Sequence, residues 1–284
     1  MMNIALNWLQ MGMSGVYISL ELSENLTCLR SDAMLTAMST KDIRKDIEST
    51  ELKVKMIGKK SGQYRVKAMP AQSNVNDIRS YLKEVQIQTG IRVDFVMVDY
   101  LDLVMPVSVK VNPNDQFIKD KYVSEELRNL AKELGILLVT ASQLNRSAVD
   151  EPEFDHSHIA GGISKINTAD NVFGIMTSRS MRERGKYQIQ CMKSRSSTGV
   201  GQKIDLDYNI ETMRITDDDP DGYAEQQAKY KPAPSPNDIM SKLKPQSNVV
   251  VDQSTGEIIE PVTKNVVADV QGSKLKSLLN SLKK

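Results

Sequence analysis

An apolar run near the middle of the chain, VDFVMVDYLDLV at residues 93–104, carries the carboxylates Asp94, Asp99 and Asp102. The four residues before Asp99 predict a buried strand, where an unpaired carboxylate is unfavourable because burying a charge costs several kcal/mol. Asp99 is therefore expected where the strand emerges. Ligands of open α/β sheets bind beyond the carboxyl ends of the strands. Asp99 is thus placed to hold a metal-bound phosphate or, alternatively, to bond nearby backbone.

Polar residues also follow the other predicted strands. Glu21 comes just after the first one, where its carboxylate could polarise a water molecule or interact with a helix dipole. Gln143 follows the apolar segment ILLVTAS and is suited to contact a terminal phosphate. Lys193 and Arg195 alternate in a strand-like segment, so both side chains face the same way. An acid for water, an acid for magnesium, a polar sensor and paired cations are the components of phosphoryl transfer.

The elements that position these residues alternate along the chain. Helical periodicity in NVNDIRSYLKEVQIQTG and VSEELRNLAKELG ends at Gly90 and Gly135, and short apolar strands lie between the helices. Three further strand-like segments occur at 171–177, 187–192 and 203–208. Alternating strands and helices predict an α/β fold whose parallel sheet is covered on both faces. We expect this core to occupy residues 1–215.

The composition changes after the predicted core. Residues 216–222 are acidic and the proline-rich stretch KYKPAPSPND follows, so a flexible, disordered linker is expected over 216–270. The last residues, 271–284, predict a short basic amphipathic helix with a leucine face, formed by Leu275, Leu278, Leu279 and Leu282. A helix this short is unstable alone. It is therefore expected to dock either on the core or on a partner, and the flexible tether favours a partner.

The overall composition excludes some classes of protein. A net charge of +1 provides no global field that would attract nucleic acid or a membrane, so any such surface must be local. The two cysteines are far apart in the 284-residue sequence, which indicates neither a disulfide framework nor a metal site. No apolar run reaches the ~18–20 residues of a membrane span. We expect a soluble, cytoplasmic protein without a membrane partner.

Four motifs in this order resemble those of the DnaB-type (superfamily 4) replicative helicases of bacteria and tailed phages, most of all the phage branch. YISLELSENL resembles the second motif of the family, and VMVDYLDL resembles its Walker B strand. SQLNR is similar to the third motif and KSRSSTGVG to the last one. The resemblance covers roughly residues 1–210. It implies a RecA-like ATPase fold that uses ATP or another NTP with Mg²⁺, in the cytoplasm of an infected bacterial host.

The resemblance also implies a role for each motif residue. Glu21 would be the catalytic glutamate, and Asp99 would be associated with magnesium, through water. Gln143 would be the sensor that links nucleotide to DNA. Lys193 and Arg195 would reach across to the nucleotide of the neighbouring subunit in a homo-oligomeric, hexameric ring.

A polar stretch between residues 146 and 170 would, by the same resemblance, line a central channel and hold single-stranded DNA. Amides, hydroxyls and cations suit phosphate oxygens, and the expected contacts are Arg146, Gly161, Gly162, Ser164 and Lys165. An ordinary surface loop is the alternative, since nothing in the local sequence excludes it. Expected protein partners are a primase, a helicase loader or the polymerase machinery, recruited through the C-terminal tail.

The phosphate-binding Walker A motif (P-loop) of the family, G-x-x-x-x-G-K-[ST], does not occur in the 284 residues. In the family it would directly precede the helix that begins here at Met1, so the chain is expected to start just after it, without the first strand. A split gene, an incomplete translation and a degenerate paralogue each explain this. The expected function is the C-terminal part of a ring-forming DNA helicase, inactive alone. A RecA-like recombinase and a non-catalytic interaction subunit are the alternatives.

Overall fold

The computed structural model of the chain describes residues 1–112, 115–143 and 163–217. The first half of this part is built on a four-stranded parallel sheet with the strand order β2-β1-β3-β4. Its strands are β1 (Gly15–Ser19), β2 (Tyr64–Ala68), β3 (Phe95–Asp99) and β4 (Leu137–Thr140). The chain passes from β1 to β2 on one side and then to β3 on the other. The topological switch point, where ligands bind in such sheets, is therefore between the carboxyl ends of β1 and β3.

Helices connect these strands and follow them. The helices are α1 (Met2–Gln10), α2 (Glu24–Thr36), α3 (Thr40–Lys45), α4 (Ile47–Gly58), α5 (Val75–Thr89), α6 (Gln116–Leu134), α7 (Ile163–Thr168) and α8 (Arg179–Glu183), with a 3₁₀ turn at Leu101–Leu103. Gly90 and Gly135 end α5 and α6 in the left-handed conformation, at φ 67° and 63°, as their positions predicted.

Both faces of the parallel sheet are covered, which confirms the predicted layering. Val16, Ile18 and Val98 face a buried cluster with apolar residues of α5 and α6. Tyr17 and Met97 face the other way, against apolar residues of α1. Alternate residues of one strand thus pack against different layers, and β3 is apolar over its first four residues because these are buried on both sides.

The second half departs from the predicted parallel arrangement. The strands β5 (Asn171–Met176), β6 (Lys186–Ser194), β7 (Lys203–Asn209) and β8 (Arg214–Asp217) form an antiparallel sheet in sequential order. Their connections are short, and a parallel pair needs a crossover of a dozen or more residues. The strand-like segments at 171–177, 187–192 and 203–208 predicted β5, β6 and β7 but carried no information about their direction, and β8 was not predicted.

The second sheet is joined to the first half through its last strand. Asn3 of α1 donates to the carbonyl of Met213 at 3.0 Å and accepts from the amide of Ile215 at 3.0 Å. Arg214 donates to the carbonyl of Met34, in α2, at 3.1 Å. Among the helices of the described ranges, none is long and apolar enough to cross a membrane.

Candidate functional site

Asp99 is the last residue of β3 and lies half-buried beside Ser19, the last residue of β1. The hydroxyl of Tyr17 donates to its Oδ2 at 2.6 Å. Burial raises the pKa of Tyr17, and this hydrogen bond raises it further, so the phenol remains a donor. The carboxylate of Asp99 thus accepts from a side-chain hydroxyl, and this hydrogen bond orients it at the switch point.

Glu21 reaches the same edge of the sheet from β1. It is exposed and follows Leu20, whose amide donates to the carbonyl of Asp99 at 2.8 Å. Burial raises the pKa of Tyr100, and the charges of Glu21, Asp102 and Asp99 raise it further. Three carboxylates thus contribute negative charge near the Tyr100 hydroxyl, and the two acids proposed from the sequence lie on either side of the switch point.

Gln143 joins this group from the end of β4. Its side-chain amide donates to the Tyr100 hydroxyl at 3.2 Å, and its backbone amide donates to Oδ2 of Asp102 at 3.2 Å. Tyr100 and Asp102 therefore tie the predicted sensor to the strand that ends in Asp99. The sequence analysis assigned no role to either of them, although both follow Asp99 within three residues.

The N-terminal end of α1 lies at this edge as well. Burial lowers the pKa of the Met1 amino group, and the nearby charge of Asp99 raises it. Since α1 packs on the face of Tyr17 and Met97 and leads into the start of β1 after a short turn, its N-terminal end lies toward the carboxyl edge of the sheet. Helix N-termini favour negative charge and bind phosphate readily.

Lys165 is placed differently from the expected DNA contact. It lies on α7 with 6% of its side chain exposed, and its Nζ is 2.7 Å from Oδ2 of the fully buried Asp120 in α6. The same ammonium pairs with Oδ1 of Asp102 and donates to the Ser142 hydroxyl at 2.8 Å. Burial raises the pKa of Asp120 and Lys165 lowers it in part. Because two buried carboxylates hold this cation, it faces the interior in this structure.

The other predicted DNA contacts are only partly described. Ser164 is half-buried on α7, and its carbonyl accepts a hydrogen bond from the hydroxyl of Thr168 at 3.0 Å. Arg146, Gly161 and Gly162 lie outside the described residues. Their contact with DNA stays a prediction.

Lys193 and Arg195 form a second group at the end of β6. The ammonium of Lys193 donates to the carbonyl of Asn167 at 3.1 Å, and Nη2 of Arg195 donates to the same carbonyl at 2.7 Å. Nη1 of Arg195 is 2.7 Å from Oδ1 of Asp170. Desolvation lowers the pKa of Lys193, and so does the neighbouring Arg195. The anionic partner that two cations in register require is thus Asp170, together with the C-terminal carbonyls of α7.

The structure therefore sorts the predicted residues into two groups. Glu21, Asp99 and Gln143 lie at the carboxyl edge of the parallel sheet, where Gln143 donates to Tyr100. Lys193 and Arg195 are engaged on α7 instead. In the described part of the chain, no three histidine, cysteine, aspartate or glutamate side chains form a cluster suited to a metal ion. Asp99 alone still suits Mg²⁺, which commonly takes one or two carboxylates and completes its shell with water and substrate phosphates.

The strand order and the polar residues at the carboxyl edge of the sheet occur together with a family match over the same residues. The sequence model of the DnaB-like helicase C-terminal domain matches residues 1–217. The chain belongs to this family.

Individual relatives of this DnaB-like domain agree with that assignment. It is 30% identical over 199 residues to the DnaB-like replicative helicase of Enterobacteria phage T4, covering 68% of this chain and 42% of the relative. It is 23% identical over 164 residues to the replicative DNA helicase DnaB of Mycoplasma pneumoniae, covering 53% of this chain and 34% of the relative. The chain thus spans less than half the length of these two relatives.

Solved structures share the fold of the DnaB-like domain. One of them is a DnaB-like replicative helicase whose interactions with primase were also studied. It superposes with a TM-score of 0.64 at 19% identity, over 77% of this chain and 55% of that one. A second solved structure, of an ATPase domain, superposes with a TM-score of 0.62 at 20% identity, over 77% of this chain and 80% of that one. These likenesses confirm the RecA-like core expected from the motifs.

Proposed function

We propose that the chain is the C-terminal ATPase part of a ring-forming, phage-type replicative DNA helicase, which couples NTP hydrolysis to translocation on single-stranded DNA and duplex unwinding. The observation that supports this most directly is the meeting of Glu21 and Asp99 at the switch point of a DnaB-like domain. Gln143 joins them through Tyr100. A phosphate placed there would contact an acid for water, an acid for magnesium and a polar sensor.

Each residue of this edge has a distinct part in the proposed reaction. Asp99, oriented by Tyr17, would hold Mg²⁺ through water, and the ion would neutralise charge on the phosphate oxygens. Glu21 is exposed and would orient the attacking water and accept its proton. Gln143 would contact the terminal phosphate and report its presence toward the DNA-binding residues.

Lys193 and Arg195 would complete the site of the neighbouring subunit. They donate to a carbonyl of α7 in their own chain and so have partners other than Tyr100, which is compatible with action in trans. A cation supplied in this way is worth ~10³–10⁵ in rate. The proposal therefore requires a closed homo-oligomer, with six subunits as the expected number.

The proposed partners follow from the same family. Single-stranded DNA would be held by Arg146, Gly161, Gly162 and Ser164 at phosphate oxygens. A primase, a helicase loader or the polymerase machinery would be recruited through residues 271–284. The DnaB-like structural neighbour was studied with primase, which supports primase as the first candidate.

Nucleotide binding provides the central experiment. Because the 284 residues contain no P-loop, the chain alone should bind Mg-ATP weakly in calorimetry. A segment carrying a P-loop and joined at Met1 would deliver its phosphate cradle to the edge of the sheet where Asp99 lies, since the N-terminal end of α1 lies toward that edge. Such a fusion should show hydrolysis stimulated by single-stranded DNA.

Other results of these experiments would contradict the proposal or indicate one of the alternative functions. Micromolar Mg-ATP binding by residues 1–284 alone would contradict the need for a P-loop segment. No hydrolysis by a folded, nucleotide-binding fusion would indicate a non-catalytic interaction subunit. Filaments in place of closed rings in electron micrographs of the fusion would indicate a recombinase.

A further inference from the structure

The short helix α7 contacts Lys193 and Arg195 directly and is linked to Gln143 of the first group through Asp102. Lys165 lies in the middle of its six residues, and Ile166 and Asn167 follow directly. Lys165 points into the interior, whereas the carbonyls of Ile166 and Asn167 accept from the cations of β6. One turn of helix thus connects residues that the proposed function assigns to two different nucleotide sites.

The interior contact of α7 is a buried ion pair at the sensor. Lys165 pairs with Asp102 and Asp120, and all three side chains are at most 11% exposed. Asp102 also accepts from the backbone amide of Gln143 at 3.2 Å, and Lys165 donates to the hydroxyl of Ser142 at 2.8 Å. A displacement of the end of β4 therefore changes the partners of Lys165 directly.

The outer contact of α7 holds the cation pair. Lys193 donates to the carbonyls of Ile166 and Asn167, and Arg195 donates to that of Asn167. Arg128 of α6 braces this end of α7, because it donates to the carbonyl of Thr168 and lies 2.8 Å from Asp170. The acceptors that orient the two cations are thus one and two residues beyond Lys165. A single helical turn moves as a unit, because each backbone bond within it spans four residues.

We propose that Lys165 is a positioning residue: its buried ion pair with Asp102 and Asp120 sets the place of α7, and through α7 the reach of Lys193 and Arg195. The sensor of one nucleotide site would then be linked to the cations that the same subunit offers to the next site. The part played by Arg195 in hydrolysis rests on the proposed function. The linkage through α7 does not.

The linkage can be measured in the 284-residue chain without any hydrolysis. The amide of Arg195 donates to the carbonyl of Asp170, two residues beyond the end of α7, at 3.0 Å, so its hydrogen exchange reports whether the end of β6 stays paired with the segment that directly follows α7. Lys165→Met keeps the apolar stem and removes the charge, and we expect about 10-fold faster exchange at Arg195 with unchanged exchange in β1 and β3. Lys83→Met is the matched control, because it removes a cation that is 53% exposed and pairs with Glu133 at 3.6 Å.

Two results of the exchange experiment would overturn the proposal. One is an unchanged Arg195 amide in folded Lys165→Met. The other is equally faster exchange throughout the parallel sheet, which would assign Lys165 to general stability. If Lys165→Met does not fold, Asp102→Asn takes its place, because it weakens the same ion pair with little change of shape. Hydrogen exchange is then measured at the same amides.

A kinetic measurement in the P-loop fusion tests the consequence for catalysis. Lys165→Met should lower kcat about 10-fold while the KM for nucleotide changes less than about 2-fold, because it would misplace Arg195 without removing a nucleotide contact. An unchanged kcat, or a loss that appears in KM alone, would show that Lys165 does not act through Arg195. A fusion without hydrolysis would refute the proposed function, whereas the exchange experiment would still decide the linkage.

Discussion

Arg195 is held by Asp170 of its own chain, with 2.7 Å between Nη1 and Oδ1. Partial burial raises the pKa of Asp170, but hydrogen bonds from Arg128 and Arg195 outweigh this and hold it below its usual value. The carboxylate thus stays charged and fixes a guanidinium that is still 45% exposed. An oriented and accessible cation at the end of β6 is what action on a neighbouring subunit requires.

This arrangement predicts complementation between two inactive variants of the P-loop fusion. Arg195→Ala should abolish turnover and leave nucleotide binding largely intact, because the residue would act on the neighbour's transferring phosphate. Mixing it with Glu21→Ala should recover some hydrolysis, since some interfaces then pair an intact Glu21 with an intact Arg195. Mixed rings, verified by tagged subunits, that show no recovery would place both residues in one subunit's site.

Asp120 provides a prediction about pH. Burial raises the pKa of its carboxyl, partly offset by Lys165, so the folded state binds this proton more tightly than the unfolded state. The stabilisation is therefore complete below the unfolded pKa of ~4 and is lost as the pH rises through the higher folded value. We expect the wild-type chain to gain stability relative to Asp120→Asn as the pH is lowered from neutral. Thermal melts of both proteins test this expectation. It would be wrong if the difference between their melting temperatures stays constant over this pH range.

Two glycines provide a matched pair for stability. A Cβ added at Gly62 would lie 1.9 Å from the backbone oxygen of Met13, which cannot move away as a side chain can. Gly62→Ala should therefore cost about 1–3 kcal/mol. A Cβ at Gly58, the last residue of α4, meets nothing within 4 Å. Gly58→Ala should be neutral or stabilise by about 0.4–1 kcal/mol. Urea titrations that rank the two variants in the opposite order would contradict the packing around Gly62.

Deletion of residues 218–284 tests the role predicted for the tail. The contacts of Asn3 and Arg214 that join the second sheet to the first half involve only residues before this segment. The melting temperature of the chain and the basal hydrolysis of the fusion should therefore change little. Binding of a primase, loader or polymerase component should weaken, and replacing Leu278 and Leu279 by serine should have the same effect. A much lower melting temperature would show that the tail is part of the domain.

Local patterns in the sequence were sufficient for the first half of the fold. An apolar run as continuous as β3 requires burial on both faces, and glycine at positions 90 and 135 ends helices because it adopts positive φ without steric cost. Glu21 just beyond one strand and Asp99 at the end of another were predicted to lie at the same edge of a parallel sheet. Those properties depend on neighbours in the chain, so the sequence alone determined them.

The partners of the charged residues were decided by the tertiary structure. Lys165 is 63 residues from Asp102, and Arg195 is 25 from Asp170. From the sequence, the first cation was expected to contact DNA, and no partner within the chain was expected for the second. The direction of the later strands was likewise beyond local patterns. An ion pair depends on distance and burial in space. The sequence of a polar stretch is the same whether its cation faces solvent or two carboxylates that are almost fully buried.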